Sequence, residues 1–99
     1  MSSLTLYNEV TAQSSKYTTL LYSSSFSSAI GLLDQSLRQP IYDIYGFVRF
    51  ADEIVDTFHE YDKATLLATF KVDTYAALDN GISLNPILHR FQLTYNKYK

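Results

Sequence analysis

Only three glycines and two prolines interrupt these 99 residues. So lightly punctuated a chain has few places for tight turns, and it reads as helices joined by short loops rather than as many strands. The apolar spacing points the same way. Leu6, Tyr7, Val10 and Ser14 mark a first amphipathic helix from about Leu4 to Lys16. Ser23-Ser-Ser-Phe-Ser-Ser28 has the composition of a linker, but Phe26, Ile30 and Leu33 recur at helical spacing and predict helix between Tyr17 and Leu33. Pro40 fits the first turn of the next helix, where its missing N–H matters least, and that helix runs to about Phe58. Asp62 suits the N-cap of a helix carrying Leu66, Leu67, Phe70, Ala77 and Leu78, and Asn80-Gly81 supplies a left-handed stop. Asn85-Pro86 reads as N-cap and first residue of a last helix, whose stripe Ile87, Phe91, Tyr95 and Tyr98 meets no stop signal. The expected fold class is all-α, with about five helices in one domain over residues 1–99.

Composition narrows the functions open to such a fold. With 46% hydrophobic and 18% charged residues the chain is globular. A net charge of −2, with no Lys/Arg cluster among the aromatics, gives no footprint for nucleic acid. No apolar run approaches the roughly 18–20 residues of a spanning helix, and the first residues lack the basic and apolar regions of a signal peptide. Zero cysteines removes disulfides, thiolate metal sites and a cysteine nucleophile, and fits a reducing cytosol. Nine tyrosines and six phenylalanines are enough to fill a core or to line a cavity for an apolar ligand.

The chemistry concentrates in Tyr45-Gly-Phe-Val-Arg-Phe-Ala-Asp-Glu-Ile-Val-Asp56. Helical spacing puts Tyr45, Arg49, Asp52 and Asp56 on one side of the cylinder. Two carboxylates one turn apart cost an isolated helix roughly 0.2–0.5 kcal/mol. A divalent cation reverses that sign, because a hard metal seeks carboxylate oxygen. The plainer reading is a solvated acidic face with Arg49 and Glu53 as an ordinary i,i+4 pair. Against it, Val48, Ile54, Val55 and Phe58 predict a mostly buried helix, on which unpaired charge is expensive. Gly46, inside the same helix, is expected to serve close packing rather than ligand access.

Ser23-Ser-Ser-Phe26, Tyr45-x-x-x-Arg49-x-x-Asp52-Glu-x-x-Asp56 and Asn85-Pro-Ile-Leu-His89 together resemble the squalene/phytoene synthase family of head-to-head prenyltransferases. The resemblance implies the N-terminal part of an isoprenoid-synthase helical bundle. It implies that Asp52 and Asp56 hold Mg²⁺ (or Mn²⁺) bridging to a substrate diphosphate, that Arg49 contacts the diphosphate, and that Ser23 and Ser25 lie near it. Tyr45 and Phe26 would border the reacting carbons, with Ile30 one turn further along the prenyl tail. The substrate would be a prenyl diphosphate, by preference geranylgeranyl diphosphate going to phytoene in carotenoid biosynthesis, without NADPH. The location would be cytoplasmic, with peripheral membrane association because the product is a lipid. The chain departs from the pattern at Ser24, where many members carry lysine. The second aspartate-rich motif is absent from these 99 residues, so the chain alone is expected to be inactive and poorly soluble.

Other readings divide on single features. Squalene or dehydrosqualene synthase activity would differ in chain length and NADPH use. Asp52-Glu-Ile-Val-Asp56 also resembles the D-D-x-x-D of head-to-tail synthases and terpene cyclases, but the upstream Ser-x-Ser-Phe and the Tyr-x-x-x-Arg lead-in favour the head-to-head reading. A di-iron bundle needs Glu-x-x-His, and Glu9, Glu53 and Glu60 are followed by Ala12, Asp56 and Lys63 instead. A non-catalytic helical module would lack Mg²⁺-dependent diphosphate binding. His59 and His89 read as surface or boundary residues rather than catalytic ones.

Overall fold

Five helices follow one another in a computed structural model that describes residues 2–99: α1 (Ser3–Tyr22), α2 (Ser24–Ile30), α3 (Gln35–Asp56), α4 (Lys63–Asn80) and α5 (Pro86–Tyr98). No strand occurs among the described residues. The all-α expectation and the helix number hold.

Local signals explain most of the boundaries. Asp62 caps α4 by accepting the Thr65 N–H at 3.1 Å, and Gly81, at φ 69°, ends it by donating to the Ala77 carbonyl. Asn85 caps α5 through the N–H groups of Ile87 and Leu88, with Pro86 at the first position. These three assignments stand as expected from sequence. Two others need correction. The first helix does not stop near Lys16 but continues to Tyr22, and the serine run breaks the helical path at one residue. Ser23 takes an extended backbone, and its hydroxyl accepts the Phe26 N–H at 3.2 Å, so it caps α2. A short hydroxylated side chain competes with the backbone for hydrogen bonds, which is why serine breaks a helix here without making a linker. Pro40 is not in the first turn of α3. Asp34 caps that helix from the Ser36 N–H and hydroxyl, which places Pro40 in its interior. The cap starts the helix ahead of the proline, and Pro40 can give no N–H to the turn before it.

α1, α3 and α5 pack on one another, α4 packs on both α3 and α5, and α2 packs on α1. The apolar core is small: Ile30, Tyr42, Ile54, Ala77, Ile87 and Leu88. Phe47 adds a stack between α3 and its neighbours, its ring 3.9 Å from Phe91 and 5.4 Å from Phe70.

α1 is turned away from the face its apolar stripe predicts: of that stripe Tyr7 and Ser14 are half-buried, Tyr7 with its ring 4.7 Å from His89. The buried residues of α1 are Thr11, Ser15 and Thr19, spaced one turn apart, whereas Leu6 and Val10 are exposed. Small side chains bring the α1 backbone close to its neighbours. Thr11 and Thr19 satisfy their hydroxyls on the Asn8 and Ser15 carbonyls, at 3.0 and 2.9 Å. Gly46 completes the close approach: a Cβ there would lie 3.2 Å from Ile87 Cδ1 and 3.7 Å from Ser15 Oγ. Packing is its role, as the sequence suggests.

Candidate functional site

α3 carries the acidic motif, and the end of α1 with α2 supplies the facing wall. The wall begins with two contacts. The Phe26 and Tyr45 rings lie 5.1 Å apart at 32°, and the Arg49 guanidinium sits over the Tyr22 ring at 5.1 Å. Glu53, one turn on, holds Arg49 Nη2 at 3.3 Å, so the ordinary i,i+4 pair does form. Arg49 Nε is buried with no hydrogen-bond partner among the described residues. The Thr57 hydroxyl holds the Glu53 carboxyl below the usual carboxylate range, and Tyr22 and Arg49 add to that against some desolvation. Burial, and then Glu53, raises the Tyr22 phenol.

Asp52 and Asp56 lie on the same helix, interleaved along it with Arg49 and Glu53. Both are exposed, and neither has a hydrogen-bond or ion-pair partner among the described residues. The helix around them is less buried than its sequence predicts: Ile54 is enclosed, but Val48, Val55 and Phe58 are exposed. Nothing within the described residues covers that face. As a donor set, two unpaired carboxylates one turn apart suit a hard divalent cation. They suit it as a pair only, because the described residues gather no group of three or more His, Cys, Asp or Glu that could hold a metal.

The remaining expected residues divide. Ser23 is near the cluster but its hydroxyl is occupied by the α2 cap, whereas Ser25 is exposed. Ile30 is only 2% exposed and belongs to the core. Beside the wall a cleft of about 380 Å³ opens between α3 and α4, with Phe50, Ile54, Phe58, Leu66 and Phe70 giving an apolar lining. Glu53, Tyr22 and Asp73 also line it. Tyr22 and Asp73 were not singled out from sequence. Asp73 had a signal, since Leu66, Phe70 and Asp73 share one helical stripe. Tyr22 had less, because the break at Ser23 puts it on a different helix from Phe26.

Behind the wall lies a polar core that the sequence did not suggest. Asp43 is fully buried and accepts from Arg90 Nε and Nη2 at 3.1 and 3.0 Å, from Thr94 at 2.8 Å and from Gln39 at 2.8 Å. His89 is buried as well, contrary to the surface reading. Its Nε2 lies 2.7 Å from Asn8 Oδ1, and its Nδ1 accepts the Ser83 N–H at 3.3 Å. Asn8, Asp43 and Arg90 thereby tie α1, α3 and α5 into one frame behind the α3 site.

An all-helical domain with an exposed Asp-x-x-x-Asp pair, a stacked arginine and an aromatic-lined cleft is the class that fold and site define. A family model described as squalene/phytoene synthase matches residues 21–99. The chain belongs to the squalene/phytoene synthase family, a family of head-to-head prenyltransferases. The match omits residues 1–20, most of α1, and contains all three motifs. No curated protein and no solved structure matches the chain.

Proposed function

We propose that this chain supplies the diphosphate-binding wall of a head-to-head prenyltransferase. Asp52 and Asp56 hold Mg²⁺ or Mn²⁺, and Arg49 contacts the substrate diphosphate. The observation that carries the reading is the pair of exposed, unpaired carboxylates on the helix that also presents Arg49. Bound there, the cation supplies Lewis-acid neutralisation of the departing diphosphate.

The chain's own residues account for the rest. Breaking the C1–oxygen bond sends the electron pair out with diphosphate and leaves an allylic cation. Arg49 meets the developing negative charge with a fork of donors already held in place by Glu53 and Tyr22. The Tyr45 and Phe26 rings offer π faces to the cation. The apolar cleft keeps water from it and takes the prenyl chain. Two carboxylates supply only part of the roughly six ligands Mg²⁺ requires. The remaining positions fall to water, substrate and carboxylates on an opposite wall, so the 99 residues alone should not turn over.

We assign geranylgeranyl diphosphate as the substrate and phytoene as the product; Ile30, enclosed in the core and outside the α3–α4 cleft lining, would gauge only a tail that reaches past that cleft. A medium aliphatic side chain there leaves more depth than an aromatic ring. Squalene-type chemistry is the alternative. Farnesyl and geranylgeranyl diphosphates, each with and without NADPH, offered to a turnover-competent chain separate the two. Preference for farnesyl diphosphate would overturn the phytoene assignment, and unchanged preference in Ile30→Phe would remove Ile30 from it. In the same chain Asp52→Ala and Asp56→Ala should each remove most diphosphate release, and Arg49→Lys should lower it, because a point charge does not reproduce the fork. Full release by either alanine variant in EDTA would sink the metal assignment.

A further inference from the structure

Two contacts and one unsatisfied donor meet at Arg49. Glu53 holds Nη2 at 3.3 Å, the Tyr22 ring covers the guanidinium at 5.1 Å, and Nε is buried with no partner among the described residues. The first two are not equivalent once an anion arrives. Glu53 orients the guanidinium with a negative charge, which repels a diphosphate and competes with it for the same donors. Tyr22 orients it with a neutral π face, which leaves the donors along the guanidinium edge available and adds no repulsion. Tyr22 also comes from α1, so it fixes the guanidinium from outside the helix that carries Arg49.

We propose that Tyr22 is a positioning residue, whose ring holds the plane of the Arg49 guanidinium so that its free donors are set for a diphosphate. The inference rests on Arg49 being a diphosphate contact. Its site is the lip of the α3–α4 cleft, where Tyr22 and Glu53 both lie. Tyr22 is half exposed, at 48%, so its substitution removes little from the core.

The test is equilibrium dialysis of radiolabelled inorganic pyrophosphate against the 99-residue chain in excess Mg²⁺. Tyr22→Leu should weaken binding by about three- to tenfold, the size of a partly exposed cation–π contact. Tyr22→Phe, which keeps the ring, should stay within about twofold of wild type. In an Arg49→Met background Tyr22→Leu should have no further effect, since coupled residues are not additive. Wild-type binding by Tyr22→Leu alongside a loss in Arg49→Met would overturn the positioning role and leave Arg49 as the diphosphate contact. No loss in Arg49→Met, or no binding by the wild-type chain, would overturn the diphosphate reading and this inference with it. An equal loss from Tyr22→Leu in both backgrounds would show that Tyr22 acts through the fold rather than through Arg49. A loss in Tyr22→Phe as large as in Tyr22→Leu would assign the effect to the hydroxyl and overturn the role of the ring.

Discussion

At the scale of single residues, the buried polar groups behind the site decide how firmly it is held. Asp43 accepts four hydrogen bonds and pairs with Arg90 at 3.0 Å with almost no exposure. Replacing Asp43 with alanine leaves Arg90 enclosed without its counter-charge, and breaking such a pair costs about 3–5 kcal/mol. Urea unfolding of Asp43→Ala should show that loss, and a change below about 1 kcal/mol would mean the pair is open to water. His89 gives a pH dependence of definite sign. Burial lowers its pKa first, Arg90 lowers it further, and Asp43 partly opposes both. The native state therefore binds fewer protons than the unfolded chain below the ordinary histidine value of 6.5. The stability from neutral His89 is complete above that pH and drains away as pH falls through it. Unfolding free energy measured from pH 7.5 down to about 5.5 should fall, and the His89→Gln variant should show a shallower slope.

Individual helices show what the sequence made legible. Caps and stops that act within one turn were readable: Asp62, Asn80-Gly81 and Asn85-Pro86 each do what their chemistry implies. The order of motifs along the chain was readable as well, because Tyr45, Arg49, Asp52 and Asp56 need only α3 to share a side. Most inferences that required knowing the neighbour failed, the packing role of Gly46 excepted. The stripe Leu6, Tyr7, Val10 and Ser14 predicts the buried face of α1, yet Leu6 and Val10 are exposed and Tyr7 and Ser14 are half-buried. Thr11, Ser15 and Thr19 are the enclosed residues, Ser15 beside Gly46 where only a small side chain fits. Pro40 misplaced the start of α3 because the Asp34–Ser36 cap is a stronger local signal than the proline's preference for a first turn. Tyr22 over Arg49, and Arg90 on Asp43, join residues far apart in sequence and leave no local pattern. The close packing of α3 makes its own prediction. A valine at Gly46 meets Ile87 Cδ1, only 3.2 Å from the first added carbon, and overpacking of this kind should cost about 1–3 kcal/mol in thermal or urea unfolding. An unchanged midpoint would show that Ile87 moves aside freely.

The molecule as a whole presents apolar surface on most of its helices. Leu4, Leu6 and Val10 on α1, Val48 and Val55 on α3, and Val72 and Tyr75 on α4 are all exposed. No helix among the described residues is long and apolar enough to cross a membrane. Apolar patches larger than a few hundred Å² favour association. The chain should sediment as oligomers at micromolar concentration, and a monomer that melts cooperatively would favour an independent module. The claim on which the account depends is narrower: we propose that Asp52 and Asp56 are a carboxylate pair that binds a divalent cation and, through it, diphosphate. Electron paramagnetic resonance of Mn²⁺ titrated into the chain, with and without inorganic pyrophosphate, tests it most directly. The account predicts weak Mn²⁺ binding that tightens with pyrophosphate and disappears in the Asp52→Asn/Asp56→Asn double variant. Mn²⁺ and pyrophosphate binding by that double variant at the wild-type level would contradict it.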